Sequence, residues 1–181
     1  MKEEIKLLMK PSGLTLIEIV VVMAILTVGA TVAVWGMNSL IPDLHLKAAV
    51  RNLKSDMHLA RLSAIKQNSF VVSKFNTDDN SYVVYLDDGG GDSTKANNYT
   101  HDEGEKILKS VQLHPHVNMY SAKFGSVSGQ FAFNSRGTLD GLAGGVYLHN
   151  KMKSFRGVAV SRIGKITIKA SADGSDWQRL N

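Results

Sequence analysis

No cysteine occurs in the 181 residues. The chain therefore has no disulfide, no thiolate nucleophile and no thiolate metal site. Catalytic signatures are missing too, since neither G-x-S-x-G nor H-E-x-x-H occurs. The run GGGDSTK at 89–95 is not a phosphate loop, because that motif needs a glycine directly before its lysine. His114 and His116 flank Pro115 with no evident third partner, which argues against a zinc site. There is no internal repeat and no coiled coil of useful length. Nothing points to an enzyme, and no cofactor is expected.

The longest absence is of charge. Ile19 to Gly36 is a run of 18 uncharged residues, and Glu18 is the only charge between Leu14 and Gly36. About 20 apolar residues cross a bilayer as a helix, so the run qualifies as an anchor. A secretory signal peptide would have a core of about 7–15 apolar residues ending at a small-x-small site. Here the run is longer, and GATVAVWG offers only Thr31-Val32-Ala33. Lys2, Lys6 and Lys10 precede the run, and the first charge after it is Asp43. By the positive-inside tendency, the N-terminus stays cytoplasmic and the remainder is exported. Glu18 is the anomaly, because a charge at the centre of a spanning helix costs roughly 2.5–3.5 kcal/mol on insertion scales. Either it lies near the headgroups or it finds a partner.

What remains is an ordinary soluble mixture. The chain carries a formal charge of +5 and a pI near 9.4. That basic balance permits anionic partners without requiring them. Pro42 has no amide proton and its ring crowds the carbonyl of Asn38, which predicts a hinge or break there. From Asp43, Leu46, Val50, Leu53, Met57, Ala60 and Ala64 recur at spacings of four and three, the pattern of an amphipathic helix over 43–68. Lys47, Arg51, Lys54, His58 and Arg61 run beside that stripe and read as a solvated flank, or as a surface for an anionic partner.

After Asn68 the period shortens. SFVVSKF (69–75) and SYVVYL (81–86) read as strands around the turn TDDN. Further strand candidates are 106–113, 129–134, 144–150, 156–162 and 165–170, the last two separated by Ile163 and Gly164 as a tight hairpin. The domain at 69–181 is thus β-rich.

The order KPSG then LTLIEIVVVMAIL resembles the N-terminal signature of type IV pilins and type II secretion pseudopilins. The resemblance implies a leader at 1–13, prepilin peptidase cleavage between Gly13 and Leu14, N-methylation of Leu14, and a transmembrane and assembly helix over 14–42. The family usually begins its mature chain with Phe, and Leu14 departs from that. Glu18 becomes the fifth mature residue, implied to pair with the N-terminal amine of an adjacent subunit during assembly and so compensate a charge in a low-dielectric core. NLKSDMHLARLSAIKQNSFVV, FAFNSRGTLDG and GVAVSRIGKITIKA narrow the resemblance to the GspH/FimT group of minor pseudopilins. The implied fold is α+β and pilin-like: a long N-terminal helix packed on an antiparallel β-sheet domain at 43–181, exposed to the periplasm.

Two roles follow from the resemblance. One is a minor pseudopilin of a type II secretion system, held in the inner membrane before assembly with other pseudopilins. The other is a minor pilin of a type IV pilus, in assembly or DNA uptake. DNA-binding relatives carry G-R-x-R near the C-terminus, where this chain has Gly164-Lys165-Ile166-Thr167. Arg162, Lys165 and Lys169 could still meet phosphates by charge alone, without sequence readout, or simply form a solvated strand face. Asp87, Asp88 and Asp92 open the acidic loop 87–105, whose oxygens suit Ca²⁺ although the spacing is not that of an EF-hand; the plainer reading is a mobile loop. A third class, a tethered binding protein using the helix only as an anchor, predicts an uncut N-terminus.

Overall fold

The computed structural model describes residues 14–180, and within its first helix the side chains at 32–36 and 38–39 lie outside the description. Helix α1 spans Leu16–Gln67. Contacts divide the chain into two units, Met1–Asn38 and Ser39–Asn181. The helical assignment continues through Pro42, so the expected break is not there. Proline removes a single intrahelical hydrogen bond, and Pro42 is buried within the second unit, whose packing offsets that loss.

In the second unit the strands are β1 (Phe70–Asn76), β2 (Ser81–Asp87), β3 (Ile107–Gln112), β4 (Val117–Phe124), β5 (Val127–Ser128), β6 (Gln130–Phe133), β7 (Leu139–Asp140), β8 (Gly144–Asn150), β9 (Phe155–Val160), β10 (Ile166–Ser171) and β11 (Gln178–Arg179). They form two sheets, β3-β2-β1-β6-β7 and β11-β10-β9-β8-β4-β5. Every pairing is antiparallel.

The predicted helical stripe is the spine of the core. Leu46, Val50, Leu53, Met57, Ala60 and Ala64 are all at most 1% exposed and share one cluster with Val71, Phe133, Val146, Leu148 and Val158. Burying each large apolar side chain contributes about 1.5–3 kcal/mol, so this stripe anchors both sheets. One polar link crosses the same seam: the Tyr82 hydroxyl donates to Asp56 Oδ2 at 2.7 Å, and both residues are buried.

The flank beside the stripe is only partly solvated. Lys47 pairs with Asp43 at 2.6 Å. Arg61 Nε donates to the Gly137 carbonyl at 2.8 Å, fastening the helix to the turn after β6. The turn between β9 and β10 reaches the same point. A Cβ on Gly164 would lie 2.2 Å from the Gly137 carbonyl and 2.9 Å from Arg61 Nε, and its φ of +78° already favours glycine. That turn is longer than expected: Ser161 pairs with Lys165, leaving Arg162–Gly164 at the tip.

Strand β4 has no counterpart among the sequence-based expectations. Its buried residues are Val117, Met119, Ala122 and Phe124, with the register slipping between Met119 and Ser121. That bulge interrupts the alternation by which a strand is recognised.

Candidate functional site

Thr15 starts the helix. The Glu18 amide donates to the Thr15 carbonyl at 3.1 Å and to its hydroxyl at 3.3 Å. Thr-x-x-Glu is the capping-box spacing, and the bond to the Thr15 hydroxyl makes its first half. A carboxylate in the first turn also faces the positive end of the helix dipole, worth about 0.3–1 kcal/mol at the surface. Glu18 thus stands in the first turn of the helix, where a carboxylate suits the dipole.

Every described side chain from Leu14 to Thr31 is exposed, with Leu16 at 82%. A helix apolar on all sides needs lipid or other helices around it. Two of its hydroxyls bond within the helix: Thr27 and Thr31 donate to the carbonyls of Ala24 and Val28 at 2.8 and 2.7 Å. Among the described residues no helix is long and apolar enough to cross a membrane. The helical part described with side chains, 16–31, reaches about 24 Å at 1.5 Å per residue, short of the ~30 Å hydrocarbon core. The run continues into 32–36, beyond the described side chains. Gly13 and the expected leader 1–13 lie outside the described residues.

The acidic loop is tied together by hydrogen bonds from its own amides to its carboxylates. Asp87 is fully buried, and its carboxylate accepts the amides of Asn97 (2.7 Å) and Tyr99 (2.9 Å). Buried Glu105 accepts the amides of Gly89 at 3.0 Å and Asp102 at 2.9 Å. Asp88 caps Gly90, and Asp92 accepts both amide and hydroxyl of Thr94. The loop covers the outer side of the first sheet, where Tyr85 donates to the Tyr99 carbonyl at 2.9 Å over a small cluster with Val72 and Ala132. Burial, reinforced by the charge of Asp87, pushes the Tyr85 phenol up. The carboxylates of Asp87, Asp88 and Asp92 are spent on loop amides and do not converge. Among the described residues no group of three or more metal-type ligands is set for an ion.

Histidine placement is less predictable from sequence. His45 on α1 stacks on His114 at 3.7 Å between ring centroids, and His116 lies 5.0 Å from His114. The third histidine comes from about 70 residues away, where spacing gives no signal. The His45 and His114 rings stack, while His116 is tilted against both. Loss of hydration, then the charge of His45 and of His116, pulls the His114 imidazole below its ordinary value.

Of the basic candidates, the structure brings Lys165 and Lys169 together and leaves Arg162 apart. Arg162 is exposed at the turn tip, where its carbonyl accepts the Leu139 amide at 3.0 Å. Lys165, Thr167 and Lys169 alternate onto the outer face of the second sheet, opposite Ile166 and Ile168 in the core. Arg179 pairs with Lys169 across β10–β11, and Tyr147 lies across Gly157 on the same row. These side chains line an open trough of about 460 Å³. Arg179 lies on a two-residue strand, which has no measurable period; Tyr147 lies on the expected strand 144–150, and only the sheet order places it on the row of Lys169.

The family profile described as type II transport protein GspH matches residues 49–171, and that of the prokaryotic N-terminal methylation motif matches 8–34. No curated protein sequence matches the chain. Two structures of the minor pseudopilin EpsH from the type II secretion system of Vibrio cholerae are similar in fold. One is 13% identical with a TM-score of 0.52, over 68% of this chain and 95% of that one. The other is 12% identical with the same TM-score of 0.52, over 73% and 96%. The type IV minor pilin FimU of Pseudomonas aeruginosa is 16% identical with a TM-score of 0.50, over 71% and 94%.

Proposed function

The chain belongs to the type II transport protein GspH family, and on that premise we propose that it works as a minor pseudopilin, a structural subunit of the periplasmic pseudopilus in protein secretion. The observation that carries this reading is the junction of two opposite surfaces in one sequence. A helix exposed and apolar on every described side to Thr31 precedes a stripe buried to within 1% from Leu46 to Ala64. The first needs partners and the second supplies a self-sufficient domain.

In this reading the precursor sits in the inner membrane as a single span, N-terminus cytoplasmic and domain periplasmic, in keeping with Lys2, Lys6 and Lys10 before the run. Prepilin peptidase cuts between Gly13 and Leu14 and methylates Leu14. Glu18 then meets the Leu14 amine of a neighbouring subunit. An assembled fibre gives the carboxylate a partner that lipid cannot, and this bias draws the helix out of the bilayer.

Mass spectrometry of the native protein tests the processing directly: an N-methylated leucine start is expected, and an intact Met1 or Lys2 start would refute it. Glu18→Ala is expected to leave insertion intact and abolish incorporation into the filament. Normal co-purification of the variant with its filament would overturn the pairing. Deleting the gene should impair secretion of exported enzymes; loss of twitching or DNA uptake with secretion intact would make it a type IV minor pilin.

A further inference from the structure

The outer face of the second sheet is not explained by anything above. Its trough is walled by Lys165, Lys169, Arg179 and Tyr147, and its floor is built of Gly144, Ala159 and Thr167, with no carboxylate in the lining. Small floor residues let a second backbone come close, and unbalanced positive charge selects what that backbone carries. We propose that this trough is a docking surface for an extended acidic segment of a partner protein.

Geometry matches the occupant. Lys165 and Lys169 project on one side of the same strand line, about 13 Å apart at 3.3 Å per residue. An extended chain laid alongside repeats its same-side positions every ~7 Å, so carboxylates four residues apart reach both ammonium groups. Arg179, opposite Lys169 in the register, offers a fork for a bidentate carboxylate. Single-stranded nucleic acid would need open ring faces for stacking. The Tyr147 ring is already engaged, lying over Gly157, where a Cβ would meet it at 2.6 Å, and packing on Trp177 at 4.5 Å. Within the trough lining Tyr147 is the single aromatic side chain, so the trough itself offers a polyanion charges but no row of free ring faces.

The proposal deepens the pseudopilin reading by naming the chemistry of one partner surface. Its test needs no filament, so its failure leaves that reading untouched. Full-length protein in nonionic detergent is titrated at low salt into a fluorescein-labelled peptide of alternating glutamate and threonine, and anisotropy is recorded. Saturable binding is expected, weakening severalfold as salt is raised through ~0.15 M, where screening shortens to about 8 Å. K165E/K169E should weaken it at least tenfold, while K165R/K169R retains it. K106E/K109E makes the same change of net charge on exposed residues just before and within β3 of the first sheet and should stay within twofold. A thermal transition on each variant checks folding, and K165Q/R179Q replaces any that has lost it. Absence of saturable binding would overturn the proposal, as would equal weakening by both charge-reversed pairs. Tighter, trough-dependent binding of a twelve-residue oligothymidine would overturn it in favour of nucleic acid.

Discussion

Replacing Tyr82 with phenylalanine removes one oxygen and isolates one charge. The Tyr82 hydroxyl is a donor to Asp56 Oδ2 at 2.7 Å, with Tyr82 3% and Asp56 8% exposed between helix and sheet. A hydrogen bond to a charged group is worth about 1.5–3 kcal/mol, and its loss leaves a buried acceptor without its donor. A domain of this size loses about 3 °C of melting temperature per kcal/mol, so Tyr82→Phe should melt about 5–9 °C lower. Asp56→Leu with Tyr82→Phe removes both polar groups and should recover part of that loss, because the cost lies in the orphaned carboxylate. Thermal unfolding of the four proteins by circular dichroism, in one detergent at one pH, completes the cycle. Burial, then the bond to Asp56, pushes the Tyr82 phenol far up. The folded state therefore holds its proton where the unfolded chain, titrating near pH 10, has released it, so stability is full below about pH 10 and falls above it. Tyr82→Phe should flatten part of that alkaline fall. A midpoint unchanged within a degree, or a double variant as unstable as the sum of the singles, would refute the reasoning.

Three further outcomes follow from the packing. Arg61→Met loses the bond to the Gly137 carbonyl and should cost about 1–3 kcal/mol in chemical denaturation; Gly164→Ala should cost more, since its Cβ would meet that carbonyl at 2.2 Å from a left-handed backbone. Leu53→Ala opens a cavity on the helical stripe at a residue 1% exposed, expected at about 2–5 kcal/mol by the same measurement. The His114 imidazole is held below its ordinary value, so its contribution to stability is present above about pH 6.5 and lost as pH falls below it. The melting temperature should drop on acidification towards pH 5, and His114→Gln should reduce that slope.

The sequence by itself determined the apolar run with its single acid, the helical stripe from Leu46 to Ala64, and strands such as 69–75 and 81–86. Each is a periodic signal within one element, and hydrophobic periodicity is set by which face meets the core. The helical assignment is unbroken at Pro42 because a local rule met a packed environment: the residue is buried and the assignment runs on. Strand β4 escaped notice because its bulge places buried residues at spacings of two, three and two. The acidic loop suggested an ion because composition records carboxylates but not the amides that Asp87 and Glu105 already hold.

Juxtaposition belonged to the tertiary structure alone. His45 meets His114 and Arg61 meets Gly137 and Gly164, each pairing across a long separation in the chain. Such meetings are decided by how two sheets share one helix, a free-energy minimum of the whole domain. No window of neighbouring residues contains that information.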